Sequence, residues 1–164
     1  MRCLPDTRIV TLTDINKSAL ELAKANEEAR DARGWSGLCE FIQTSGLDNV
    51  PGDIDTIIAN PPYIADPLRR AYRDGGGMHG AALSLDWARQ AAERLQSGGA
   101  LILYTGSAIV DGNDRFKPAL LETLSSFDVS YRELDPDVFG EELERPDYGA
   151  VERIAVVGVT AVKR

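Results

Sequence analysis

From Asp55 to Tyr63 the chain reads Asp-Thr-Ile-Ile-Ala-Asn-Pro-Pro-Tyr, and this stretch constrains the fold more than any other. A short β-branched apolar run forms a buried strand. The two prolines after Asn60 cannot extend a ladder, and they stiffen the exit from the strand. A polar amide, a backbone carbonyl and the ring of Tyr63 are thereby held at the mouth of a sheet. That set suits a planar NH2 group. The carbonyl oxygens of Asn60 and Pro61 accept its two hydrogens while Tyr63 stacks on its face. Electron density stays on the nitrogen, and its lone pair is turned toward an electrophile. The chemistry expected is transfer of a group to an amide or exocyclic amine nitrogen. The plainer alternative is a rigid structural turn around a buried tyrosine.

Around this corner, strands alternate with helices. Strands are expected over 8–13, 38–43, 55–59, 100–104, 129–134 and 151–162. Helices are expected over 17–33 and 81–95, with a short one containing Pro118 to Leu124. Leu20, Leu22, Ala23 and Ala29 give the first helix its apolar face, and Gly34 stops it. Trp35 and Trp87 read as packing residues at helix ends. This order implies an α/β fold with a mostly parallel sheet covered on both faces, ending in an antiparallel pair of strands. Residues 60–80 show no periodicity; there Gly75-Gly76-Gly77 suggest a lid or hinge, and His79 a solvated loop residue. With no repeat and no linker, 1–164 reads as a single domain.

Composition excludes several classes. A chain of 164 residues with 43% apolar content can bury one core. No apolar run approaches the roughly 20 residues of a membrane span, and no signal peptide opens the chain. A cytoplasmic protein without a membrane partner is expected. Cys3, Cys39 and the single His79 form no metal-type spacing, which argues against a metal site. The net charge of -8 counts against gripping phosphate backbones. Arg69, Arg70 and Arg73, just past the corner, are a local exception. They form either a solvated face or contacts to an acidic partner or phosphates. Asp135 to Glu144 reads as a solvent-facing acidic loop. Asp14, between a strand and a helix, either caps that helix or binds a ligand at the strand end.

Together these features resemble a class I S-adenosylmethionine-dependent methyltransferase of the amino-methylating branch marked by Asn-Pro-Pro-Tyr. Within that branch the chain is similar to the HemK-type release-factor glutamine methyltransferases and the methyltransferase small domain. The resemblance rests on the acidic strand end at Asp14, the Asn60-Pro61-Pro62-Tyr63 corner, Gly98-Gly99 before the next strand, and the terminal antiparallel strands. It implies a Rossmann-like methyltransferase sheet, with Asn60, Pro61, Pro62 and Tyr63 at the transfer site. It also implies S-adenosyl-L-methionine bound by Asp14, Ile15, Ser45, Gly46 and Asn60, with Asp14 on the ribose hydroxyls. The implied partner is a release-factor-like protein presenting a glutamine amide. No general base is required if the nitrogen loses its proton after the methyl arrives.

Two departures shape the expectations. The family's glycine-rich loop follows a first strand upstream of the acidic strand end, but only thirteen residues precede Asp14 and none is glycine. The chain therefore reads as N-terminally truncated, without the first strand and its loop. Exposed strand edges at such a gap invite pairing, so a homodimer is expected. Relatives also place an acid near Thr44-Ser45-Gly46 for the adenine amine, where this chain has none until Asp48. Two other functions stay open: methylation of adenine N6 or guanine N2 in RNA or DNA, and a non-catalytic scaffold that holds no cofactor.

Overall fold

The computed structural model describes residues 8–28 and 37–164, which divide into two compact units, Met1–Gly52 and Asp53–Arg164. Cys3, Ala29, Gly34 and Trp35, and with them the end of the first helix, lie outside the described residues.

In the first unit, β1 (Ile9–Asp14) leads into α1 (Lys17–Glu28), and β2 (Leu38–Gln43) pairs with β1 in parallel. The register runs from Ile9 opposite Leu38 to Asp14 opposite Gln43, so both carboxyl ends lie together. Asn16, rather than Asp14, caps α1: its side-chain oxygen accepts the Ser18 N–H at 3.0 Å. Leu20 is buried and Ala23 half-buried on one face of α1. Leu22, expected there too, is 64% exposed. It lies two residues from Leu20, roughly 200° around the helix.

The second unit holds a five-stranded sheet in the order β3-β4-β7-β6, with β5 beside β4. β3 (Ile54–Ala59) runs parallel to β4 (Leu95–Val110) through the crossover helix α2 (Ala82–Arg94). A two-residue strand, β5 (Asn113–Asp114), and α3 (Phe116–Thr123) follow. β6 (Phe127–Asp135) and β7 (Arg153–Lys163) complete the sheet as an antiparallel pair, β7 lying antiparallel to β4 as well. The fold is the expected α/β one, with the parallel pairs first and the antiparallel ones gathered at the C-terminus. Among the described residues, β1 pairs with β2 alone and β3 with β4 alone.

β4 is longer than the run 100–104 suggests. Beyond Tyr104 it continues through buried Thr105 and Ser107, still paired with β7 from Gly106 opposite Val156 to Ile109 opposite Arg153. The Ser107 hydroxyl bonds Asp114 at 2.7 Å, which satisfies a polar group inside the sheet. Asp111 and Gly112, both at positive φ, then turn the chain back into β5. Leu101 and Leu103 of β4, Ala88 and Ala91 of α2, and Phe116 and Leu120 of α3 are all buried in the core of this unit. Trp87 stands in the middle of α2, not at its end. Lys163 Nζ donates to the Ala92 and Leu95 carbonyls at 2.7 Å each, a cation at the helix C-terminus.

Candidate active site

The corner after β3 is built as its sequence demands. Ala59, buried, is the last ladder residue, opposite Leu103 on the parallel partner. Asn60 is exposed, Pro61 is fully buried, and Pro62 and Tyr63 are half-buried. Buried Pro61 anchors the turn, so the Asn60 side chain stands in solvent just past the carboxyl end of a parallel strand. That is where open α/β sheets bind ligands. Tyr63 is seated on Gly106 of β4, whose missing β-carbon would collide with the ring. Tyr104 meets this ring edge-on at 6.3 Å between centroids, and Phe139 lies tilted against it at 6.0 Å. Burial, and secondarily Tyr104, raise the Tyr63 phenol above its usual range, so it stays protonated at neutral pH.

Residues 63–80 hold no α-helix or named strand, only a short 3-10 turn at Met78–Gly80, but are tightly held. Ile64 bridges to Asp74, and its carbonyl accepts the Gly75 N–H at 2.8 Å. The buried Tyr148 hydroxyl accepts the Ala65 N–H at 2.8 Å and donates to the His79 carbonyl at 3.2 Å. Gly75 and Gly80 lie where added β-carbons would strike the Pro62 and Tyr63 carbonyls respectively. These glycines therefore allow close backbone packing behind the motif rather than forming a lid. His79 is half-buried against Tyr148, not solvated.

The arginine cluster is largely spent inside the protein. Arg70 donates through Nε and Nη2 to the buried Asp66 carboxylate, at 2.7 and 2.9 Å. Arg73 pairs with Glu142, which Arg145 also holds. Glu142 is 4% exposed, so the acidic stretch 135–144 is not simply a solvent-facing loop: its middle is folded inward on Arg73. Tyr104, Gly106, Phe139, Glu142 and Tyr148 complete the surroundings of the motif. Only Tyr104 had a local signal, as the residue closing the run Ala100 to Tyr104.

In the first unit, Asp14, Ile15, Ser45 and Gly46 come together at the carboxyl end of the β1–β2 pair. The Thr44 N–H donates to the Asp14 carbonyl at 3.1 Å, and the Gln43 side chain donates to the Ile15 carbonyl, also at 3.1 Å. Asp14 Oδ1 accepts the Asn16 N–H at 2.7 Å, which fixes the carboxylate. Among the described residues, Oδ2 has no partner. Gly46, at φ 57°, turns the chain away from β2 while Ser45 stays exposed. Among the described residues no cluster of metal-ligating side chains occurs and no helix is long and apolar enough to cross a membrane.

The family described as the methyltransferase small domain matches residues 2–129. A release factor glutamine methyltransferase of Lactococcus lactis is 45% identical over 56 residues, which cover 34% of this chain and 19% of that protein. One of Bradyrhizobium diazoefficiens is 34% identical over 109 residues, covering 57% of this chain and 34% of its own length. The matches thus span about a fifth to a third of these relatives. A crystal structure of a methyltransferase from Pyrococcus furiosus superposes with a TM-score of 0.55 at 17% identity, covering 93% of this chain and 61% of that one. This last likeness shows a Rossmann-like methyltransferase fold.

Proposed function

This chain belongs to the methyltransferase small domain family, and on that premise we propose that it is an S-adenosylmethionine-dependent N-methyltransferase acting on a protein glutamine amide. The observation that carries the reading is Asn60, exposed at the carboxyl end of parallel β3 between buried Pro61 and the strand. Two of the relatives are named release factor glutamine methyltransferase, which supports a glutamine acceptor and a protein partner. The family match crosses the boundary between the two units, which supports reading them as one catalytic domain.

Each residue then has a task. The carbonyl oxygens of Asn60 and Pro61 accept the two amide hydrogens, and Tyr63 packs against the plane of the group. Pro62 fixes the spacing between them. Holding the nitrogen in one orientation contributes by positioning. The nitrogen loses its proton to solvent afterward, so no side-chain base takes part. S-adenosyl-L-methionine fits the donors of the first unit: Asp14 Oδ2 suits a ribose diol, with Ile15, Ser45 and Gly46 lining the same strand ends. When bound, it supplies an electrophilic methyl group carried on a sulfonium. A cytoplasmic location, a reducing compartment, goes with this reading. Homodimerisation through the edges of β1 or β3 that pair with no strand among the described residues is part of the proposal, checked by sedimentation.

The test is calorimetric titration with S-adenosylhomocysteine, followed by transfer of labelled methyl from S-adenosylmethionine to glutamine-containing polypeptide. Micromolar binding with transfer that Asn60→Ala abolishes, binding intact, is the expected result. Retained turnover in Asn60→Ala would sink the mechanism. Transfer to RNA or DNA instead would select a nucleobase acceptor, and no cofactor binding would leave a scaffold.

A further inference from the structure

Phe139 adopts a left-handed backbone, at φ 57° and ψ 44°. A bulky side chain is an outlier in that region, and such strain persists only where the surroundings over-determine it. Here they do. On one side, the Val138 N–H donates to the Ile154 carbonyl of β7 at 2.8 Å. On the other, the Glu142 N–H donates to the Phe139 carbonyl at 2.8 Å. The Glu142 carboxylate is itself clamped between Arg145 and Arg73, and Arg73 stands on the segment that leaves the Tyr63 corner. A buried charge network thus fixes a strained turn to the motif's own loop.

What this holds in place is not a core residue. Phe139 is 43% exposed, and Tyr104, the other ring against Tyr63, is exposed to the same degree. A packing role would bury these rings. Two partly exposed rings instead lean on Tyr63, inclined to it by 65° and 50°, and extend the apolar surface around it. Asp66, Asp74, Asp147 and Arg69 line a depression next to Ala65, and Asp66 and Asp147 are already paired with Arg70 and Arg145.

We infer that Phe139, with Tyr104, is an acceptor-contacting residue beside Tyr63. This rests on the methyltransferase reading and adds the residue that grips the acceptor beyond the motif.

The experiment follows the ring resonances of Tyr63, Tyr104 and Phe139 by NMR, with S-adenosylhomocysteine present. The probes are acetyl-Lys-Gln-Lys-amide and, separately, adenosine monophosphate. The peptide is expected to shift all three rings. Phe139→Gly, which removes the ring and suits the left-handed turn, should weaken peptide binding about tenfold. Cofactor affinity and the unfolding midpoint should stay near wild type, and Phe139→Tyr should restore binding. Peptide binding unchanged in Phe139→Gly would overturn the inference while leaving the function standing. Ring shifts by the nucleotide alone would overturn the polypeptide acceptor. No shift from either probe in the wild type would overturn both the inference and the acceptor site it extends.

Discussion

The Tyr63 ring rests against the α-carbon of Gly106. Its Cε2 and Cγ lie 3.0 and 3.2 Å from where a β-carbon on Gly106 would stand, and its Cδ2 lies closer still. Gly106 is buried within β4 and held opposite Val156 of β7, so the strand has no room to retreat. Gly106→Ala therefore displaces the ring rather than the sheet. The expected cost is about 1–3 kcal/mol by urea unfolding. Methyl transfer should fall at least about tenfold in kcat, because the displaced ring no longer orients the acceptor. Cofactor affinity should be unaffected. Full activity in this variant would show that the ring position does not matter.

Tyr148 ties the strand-like exit of the motif to the turn before α2. Its phenol is raised by burial and remains an O–H, able to accept from Ala65 and donate to His79 together. Tyr148→Phe keeps the ring, which is 1% exposed, and leaves both backbone groups without that partner. An unsatisfied buried group costs about 1–3 kcal/mol, so stability should fall within that range. Amide exchange at Ala65 should also accelerate. Unchanged exchange at Ala65 would mean another group takes over the hydrogen bond.

The Glu142 cluster gives the protein an acid limb. Burial alone would raise the Glu142 carboxyl, but Arg73 and Arg145 outweigh it and hold the group below the usual glutamate range. The Arg70 guanidinium holds Asp66 well below its ordinary value, against the opposing effect of burial. A carboxyl depressed in the folded state adds stability that is complete above its unfolded value, about 4 for both types. That stability is lost as pH falls through the folded value. The midpoint should stay level above about pH 5 and decline below about pH 4. Glu142→Gln should cost roughly 2 kcal/mol at neutral pH and shrink the acid loss. This is less than for a fully buried pair, because Arg73 and Arg145 are 34% and 24% exposed. An identical acid limb in the variant would remove Glu142 from the account.

The sequence exposed the corner at Asn60 because a β-branched apolar run and two prolines are local facts, although β3 is only partly buried, with Ile58 63% exposed. It also exposed the antiparallel ending, since β6 and β7 carry strand patterns without an intervening helix. What it hid depends on distance along the chain. Arg73 meets Glu142 across 69 residues, and Tyr63 meets Phe139 and Gly106 through tertiary packing alone. An arginine cluster and an acidic run look solvated when read separately, and become one buried network only when the chain folds them together. Gly75 misled similarly: a glycine that permits close backbone approach has the same local signature as one that permits motion.

Asp14 and Asn16 separate two roles that coincide in the sequence. An aspartate just before a helix reads as its cap, but the Ser18 N–H is bonded to Asn16, while Asp14 Oδ1 takes the Asn16 N–H. The two substitutions should therefore diverge. Asn16→Ala removes the cap and should cost about 1 kcal/mol of stability. Asp14→Ala keeps the cap and should cost less than that, while weakening S-adenosylhomocysteine binding about tenfold or more by calorimetry, as expected for loss of a charged hydrogen-bond acceptor to a ribose diol. The converse pattern, with Asp14→Ala losing stability at full cofactor affinity, would return Asp14 to a purely structural role and move ribose recognition elsewhere.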